Sequence, residues 1–450
     1  MNKTVNTIRF NPALALMALL TLAFFGRADA GMLIESSITP FGTYNGVDYV
    51  RHAGRFVGMT SRGEFRVPFE IVAPANPRQG NKTVVFEAPH FIYGTAARDI
   101  TLGRELLFER RFSHASVGFS NQGFNLLDPF VDDAIVAGQI IEPDTPPSFR
   151  DVEIIKQFVI ALVEDPVAVD ALGKLRRRYA YGVSQSAEAL YELFYGPGGA
   201  GLFDLTVLHV PLWRPAFARH DVLAVLPDDF TPLPDIGKVF LVSAEGDLLI
   251  SESGELRNAI SNPNYRLYEV AGAPHLAEDL PVAPGLRTNP LDLAPVVRAA
   301  FVAGHRWVRW GARPPRNRLL EAAPAGEIDP YYLKETGVAR DENGNAAGGV
   351  RFPDVANGRA FHLASALDVE VIPGLPGLIG FWSDLACAPA PGSQSNEPRF
   401  SSHRAYVTSV WQQTLRLLWG RYILPGDARS LLRNAIDSDV GKEGYCPAVQ

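Results

Sequence analysis

The chain reads as an α/β fold: a mostly parallel sheet flanked by helices, with an elaborated C-terminal region. Three observations predict it. Between residues 83 and 270, short apolar runs of strand length alternate with segments of helical periodicity, the pattern of strand–helix–strand crossovers. The strand-like runs end in loops of small, proline and polar residues. One of them, Arg178 to Val183, passes through Gly182-Val183-Ser184 straight into a helix-like segment, Gln185 to Tyr195.

The first thirty residues are of another kind. Lys3 and Arg9 form a positive region, Pro12 to Phe25 is apolar, and Ala28-Asp29-Ala30 supplies small residues at the −3 and −1 positions of a cleavage site. This pattern predicts a secretory signal peptide, residues 1–30, and hence a periplasmic or secreted protein. The apolar run is short of the roughly 20 residues of a membrane span, so no span is expected after cleavage. Residues 31–280 are expected to form the core and 281–450 an extension packed on it.

Within the core, Gly46 to Thr60 and Gly63 to Ala73 are β-rich with turn residues between them. Thr83 to Pro89 and His114 to Ser120 have the look of buried strands. Residues 121–147 are loop-like, and Phe149 to Leu172 has helical periodicity through Val152, Ile155, Phe158, Val159 and Leu162. Leu205 to Val210, Lys238 to Ser243 and Tyr265 to Val270 are strands; the second ends in an acidic turn, Ala244 to Asp247, and the third leads to Ala271-Gly-Ala-Pro-His275. Residues 281–450 are rich in loops, proline and glycine, then helical from about Ser402 to Ala435.

Composition narrows the function classes. The chain has 450 residues, 47% hydrophobic and 20% charged, and a formal net charge of −7. That is ordinary globular composition with enough length for a large core. The charge gives no footing for general affinity to nucleic acid or anionic membrane. Cys387 and Cys446 are the two cysteines; in an exported chain they either pair or stay buried as thiols. Neither Cys-x-x-Cys nor a zinc-type His/Cys spacing is present, and no metal or cofactor is expected. Gly196 to Gly201 matches Gly-x-Gly-x-x-Gly but follows a helix rather than a strand, which removes the dinucleotide reading. Asp341 to Asn345 has the start of a calcium loop. Ala346 and Phe352 stand where such a loop needs Gly and Glu, so a turn is expected.

The strand–Gly-x-Ser–helix segment carries the chemistry. A serine on a tight turn between strand and helix needs small neighbours two residues away on each side, and Gly182 and Ser186 are small, although Ser186 stands where a second glycine is usual. The helix beginning there points N–H groups toward developing negative charge. A serine hydroxyl needs a base, and in this arrangement acid and histidine follow in that order along the chain. His275, after the last core strand, is the candidate base; His209, His220 and His305 fit less well. Asp247 is the candidate acid and Glu245 the alternative. The oxyanion donors are expected to be the backbone N–H of Gln185 and that of Phe91, in the loop after Thr83 to Pro89. Phe91, Tyr93, Trp213 and Phe217 are candidates for an apolar acyl or aryl pocket, or for ordinary packing.

With these residues the sequence resembles the α/β-hydrolase superfamily, and within it the bacterial "alpha/beta hydrolase domain-containing" group. The resemblance lies in Gly182 to Ser186, with Ala187 in place of a further glycine; in Glu245-Gly-Asp247; and in Val270 to His275. It continues in Gly311 to Pro315, Arg340 to Asn345, Gly348 to Pro353 and the helical segment Tyr406 to Ala435. It covers nearly all of the chain after residue 30 and implies the fold and a Ser-Asp-His triad. The expected function is an exported serine hydrolase that cleaves a small-molecule or oligomeric carboxylic ester through an acyl-enzyme on Ser184. An amidase, lactonase or acyltransferase with the same triad is the alternative, and a non-catalytic binding protein on this fold is the alternative of another class.

Overall fold

The computed structural model describes residues 31–61, 63–89, 102–119, 151–195, 198–211, 237–250, 253–283, 286–372, 375–389, 391 and 398–446. Residues 1–30, Phe91, Tyr93, Trp213, Phe217 and His220 lie outside them.

A nine-stranded sheet, in the order β1-β2-β3-β5-β4-β6-β7-β8-β9, forms the centre. β1 (Met32–Tyr44), β2 (Val47–Thr60) and β3 (Gly63–Pro74) pair antiparallel, and β3 pairs antiparallel with β5 (Ser113–Val117). From β5 onward, through β4 (Thr83–Glu87), β6 (Arg177–Val183), β7 (Leu205–His209), β8 (Lys238–Ala244) and β9 (Tyr265–Val270), every pairing is parallel. Parallel strands covered on both faces read as nearly continuous apolar runs, and β4 and β5 are buried throughout. The chain passes outward from β4 to β5, then returns to place β6 on the other side of β4. The carboxyl ends of β4 and β6 therefore flank a topological switch point, where α/β sheets open a crevice for ligands.

Helices cover both faces. On one lie α2 (Val152–Glu164), α3 (Pro166–Leu172) and α4 (Gln185–Tyr195), numbered after the short α1 (Arg104–Phe108). The described part of the periodic stretch, residues 151–172, makes two helices rather than one. Pro166 disfavours helical backbone at Asp165, which stays extended with ψ 132°. The Asp165 carboxylate then caps the Val167 N–H at 2.9 Å and accepts the Leu33 N–H at 3.0 Å, fastening β1 to the break. The acidic turn after β8 is the first turn of a short helix, α5 (Glu245–Ile250).

The other face is covered by a helix of 17 residues, α6 (Ala294–Trp310), inside the region expected to be loop-rich. It buries Val296, Val297, Ala300, Phe301, Gly304 and Trp307 against β7 and β8. At Gly304 a Cβ would stand 2.6 Å from a Leu205 methyl, so any larger residue there would require that buried leucine to shift.

The extension closes the open edge of the sheet. Arg318 and Val350 bridge to β9 in parallel fashion: Glu269 N–H donates to Arg318 O at 2.9 Å, and Val350 N–H to Glu269 O at 2.7 Å. The β9 edge is thereby paired rather than left as a template for another strand. Beyond it come α7 (Pro353–Ala356) and a four-stranded sheet of β10 (Pro281–Ala283), β11 (Leu286–Thr288), β12 (Ala360–Leu363) and β15 (Phe381–Asp384). A small pair, β13 (Glu370–Ile372) and β14 (Leu375–Pro376), and two helices, α8 (His403–Trp419) and α9 (Pro425–Asp437), complete it. Asp341 to Asn345 is a turn in which the Asp341 carboxylate accepts the Asn343 and Asn345 N–H groups at 2.8 and 3.0 Å. Cys387 and Cys446 form a disulfide. Among the described residues no helix is long and apolar enough to cross a membrane.

Candidate active site

β6, β8 and β9 run parallel, so their carboxyl ends open on one edge of the sheet. The residues singled out in the sequence sit just beyond these ends. Ser184 joins β6 to α4 with a φ of +51°, left-handed backbone that an L-residue adopts at a cost of roughly 1–2 kcal/mol. Three features hold the turn. A Cβ on Gly182 would stand 2.8 Å from the backbone of Ser186 and Ala187, so the helix start leaves room for nothing larger than hydrogen. The Ser184 N–H donates to His209 O on β7 at 2.8 Å. Ser186 supplies the third: its hydroxyl donates to Val183 O and accepts from Val183 N–H, both at 2.8 Å. The departure from glycine at position 186 thus becomes a clamp across the turn.

The Ser184 hydroxyl and His275 Nε2 are 2.9 Å apart, and His275 Nδ1 is 2.8 Å from Asp247 Oδ1. A carboxylate can only accept, so Nδ1 carries the proton and Nε2 presents a lone pair to the serine O–H. Asp247 is fully buried; its other oxygen accepts the Ala244 N–H at 2.7 Å and the Ser243 hydroxyl at 3.2 Å. The His275 side chain is 8% exposed and Ser184 is 7% exposed. The arrangement can deprotonate the serine and hold the resulting imidazolium beside a desolvated carboxylate. Gln185 opens α4 directly after Ser184, at the positive end of the helix. Phe91 lies outside the described residues.

Glu245 faces elsewhere. One carboxylate oxygen accepts the Gly272 N–H at 2.7 Å and the other meets Arg340 at 2.5 Å. Arg340 also bonds Asp329 at 2.7 Å. Burial alone would lower the Arg340 pKa, but Glu245 and Asp329 hold it above its ordinary value. The alternative acid therefore ties the loop before His275 to the extension. That loop is held again where Leu276 N–H donates to Leu378 O at 2.8 Å and where Asn289 Nδ2 donates to Gly272 O at 2.7 Å.

Sequence reading passed over several residues that the structure brings to this region. His209 ends β7 beside the Ser184 turn and shares a hydrogen bond with the Tyr181 hydroxyl at 2.9 Å. Burial pushes its pKa down to about 4, with Asp247 pulling upward and His275 pressing further down. Its place as the last residue of a strand neighbouring the Gly-x-Ser strand was the available signal. His305, by contrast, lies on α6 bonded to Tyr179 at 2.9 Å, toward the amino end of β6 and away from Ser184. Asp329 and Asn289 had no local motif to mark them; Arg340 opens a segment that carries the resemblance, but nothing in that segment pointed to Glu245 as its partner. Among the described residues no group of His, Cys, Asp and Glu has the arrangement to hold a metal ion.

A family model described as Alpha/beta hydrolase domain matches residues 59–433. Among solved structures, an S-formylglutathione hydrolase from Agrobacterium tumefaciens is similar at 12% identity and a TM-score of 0.32, over 53% of this chain and 89% of that one. A fungal esterase from Rhizomucor miehei is similar at 11% identity and a TM-score of 0.30, over 59% and 83%. None of the curated proteins compared with the chain matches it. The fold assignment rests on the strand order and the family match.

Two outcomes follow from this geometry. Ser186→Ala removes both clamp bonds and leaves Val183 groups without their partner; it is expected to destabilise the protein by about 1–3 kcal/mol in urea unfolding, where Ser186→Gly gives no recovery. The second concerns acid. His209, His305 and His362 are held near 4, 4 and 3, chiefly by burial, below the unfolded value of about 6.5. Between these values the unfolded chain binds more protons than the folded one, so stability falls as pH drops from about 6.5 toward 4 and gains nothing from these groups above 6.5. Unfolding at pH 5 is expected to take up about two to three protons from them, measured as the slope of unfolding free energy against pH; a flat profile from 6.5 to 5 contradicts it.

Proposed function

The chain belongs to the alpha/beta hydrolase domain family, and on that premise we propose that it is an exported serine hydrolase cleaving carboxylic esters through an acyl-enzyme on Ser184. One observation carries the reading: the hydrogen-bonded chain from Ser184 through His275 to Asp247, beginning at a left-handed strand-to-helix turn.

In the proposed reaction, Ser184 Oγ attacks the acyl carbon as His275 Nε2 accepts its proton. The carbonyl π pair moves onto oxygen, and that charge sits at the start of α4, by the Gln185 N–H, with the loop after β4 and its Phe91 as the source of a second donor. Asp247 stabilises the imidazolium through Nδ1–H. The tetrahedral carbon expels the alcohol oxygen, which takes the proton from Nε2. Water then repeats the sequence, delivering its proton to His275 and releasing the acid and Ser184. Export is supported by the charged, apolar and small-residue order of residues 1–30 and by the disulfide, a bond typical of oxidising compartments.

The test is hydrolysis of p-nitrophenyl esters by purified protein. Ser184→Ala is expected to lower kcat by at least about 10³-fold and Asp247→Asn by about 10³- to 10⁴-fold. Glu245→Gln, which breaks a buried ion pair away from the serine, is expected to lower stability by about 3 kcal/mol while keeping kcat within about tenfold. Undiminished turnover in Ser184→Ala would sink the proposal. Parallel assays on amides, lactones and acyl-acceptor alcohols separate ester hydrolysis from the related acyl transfers.

A further inference from the structure

The end of the sheet away from Ser184 carries a charge that the net −7 conceals. β6 starts at Arg177 and runs seven residues to Val183, so the amino ends of the parallel strands lie roughly 20 Å from Ser184. α6 and α8 both finish at this end. His305, near the end of α6, meets Tyr179 early in β6. The loops after the two helices are joined: Arg421 donates to Arg313 O and the Tyr422 hydroxyl to Arg316 O, both at 3.3 Å.

Arg306, Arg309, Arg313 and Arg421 are exposed here, and from Leu293 to Leu320 and from Pro398 to Gly426 the chain has no Asp or Glu. Among the described residues none of the four is in an ion pair, and neither are Arg110 and Arg177. This end does hold carboxylates: Glu109 follows α1, and Glu164 and Asp204 stand beside Arg176 to Arg178. They pair with none of these arginines. Burial, then Arg309, Arg177, Arg110 and Arg306, all press the His305 pKa down, and among the described residues no carboxylate pulls it back.

The backbone points the same way. Lys82, Arg111 and Arg421 have φ of +63°, +62° and +62°, left-handed positions that favour glycine. Lys82 stands just before β4, Arg111 just before β5 and Arg421 just after α8, so all three belong to this end. Each keeps an exposed cation where glycine would sit with less strain.

Apolar surface accompanies the charge. Trp310, the last residue of α6, is 61% exposed, and Trp419, the last of α8, is 75% exposed. Arg309 lies over the Trp310 ring, 4.9 Å from its centre. Single exposed apolar residues are ordinary. Two indoles at helix ends whose loops touch, among unpaired arginines, make a set that suits a lipid–water boundary, with guanidinium groups on phosphate and indoles at headgroup depth. We propose that this face docks the protein on an anionic phospholipid bilayer, with the carboxyl ends of the strands and Ser184 turned toward solvent. Single-stranded nucleic acid also takes arginine and aromatic groups, but it lies in a charged groove with its bases stacked on the rings. Neither indole lines the cavity beside Arg176 to Arg178, and an indole as exposed as Trp419 suits a fluid interface better than a groove.

The experiment is co-sedimentation with vesicles of the chain from Gly31 onward, so that the apolar run Pro12 to Phe25 takes no part. Phosphatidylcholine vesicles with about 30% phosphatidylglycerol are compared with pure phosphatidylcholine at about 50 mM salt. Binding to the mixed vesicles alone is expected, at least about tenfold weaker at roughly 0.5 M salt. Arg306→Glu combined with Arg313→Glu is expected to weaken binding at least about tenfold, and Trp419→Ala at least about threefold. Arg66→Glu with Arg404→Glu makes the same charge change at exposed residues away from this end and is expected to leave binding within about threefold. If the double arginine variant fails to fold by circular dichroism, Trp419→Ala carries the test. No binding to the mixed vesicles, equal binding to pure phosphatidylcholine, unchanged binding in the folded variants, or release of bound protein by a stoichiometric single-stranded oligonucleotide would overturn the proposal. Vesicle binding is read without turnover, so its outcome is separate from that of the ester assay.

Discussion

At Ser184 the chain leaves a central parallel strand and enters a helix through one residue of left-handed backbone. Almost everything at the site depends on that turn staying sharp. It lifts the hydroxyl to the sheet's edge, starts α4 behind it, and leaves the serine within hydrogen-bond reach of His275 on the loop after β9. The turn is not favourable in itself. It persists because glycine at 182 lets the helix start press against the strand, because β7 accepts the Ser184 N–H, and because Ser186 bonds both backbone groups of Val183. A second glycine there would relieve crowding but could not make those bonds.

The acid and the histidine are fixed by a different device. Asp247 is held by its own strand end, through the Ala244 N–H and the Ser243 hydroxyl. The loop before His275 is held by the extension: Arg340 through Glu245, Asn289 at Gly272, and Leu378 at Leu276. The same extension pairs the β9 edge. Residues 281–446 thus act on the site by fixing where its histidine stands. Two carboxylates separated by one residue face different partners, one toward the histidine and one toward a buried arginine.

How much of this was legible in the sequence follows from how local each signal is. Strand-length apolar runs and the small residues around Ser184 are local, so β4, β6, β7, β8 and β9 and the Ser184 turn could be read directly. The break at Asp165-Pro166 was also visible in principle, since proline restricts its predecessor. Of α6, the aromatic segment around His305, Trp307 and Trp310 reads as helix-like, but its first half was lost among the surrounding prolines, although Val296, Val297 and Phe301 already marked its buried face. The choice between Asp247 and Glu245 turns on Arg340, 95 residues beyond Glu245, and no periodicity or spacing carries that contact. The pairing of Cys387 with Cys446 across 59 residues was open for the same reason. His362 and Asn289 stand in unremarkable sequence; only the fold puts them behind Gly272.

The central claim is that the turn, the histidine and the buried carboxylate together make Ser184 a nucleophile. The most direct measurement is reaction of the folded protein with a fluorophosphonate, followed by mass spectrometry of the intact chain and its peptides. The account predicts one phosphonyl group per chain, on the Ser184 peptide, absent when the protein is first unfolded in urea. Ester hydrolysis by a chain that takes up no phosphonyl group, or takes it up at another residue, would contradict it.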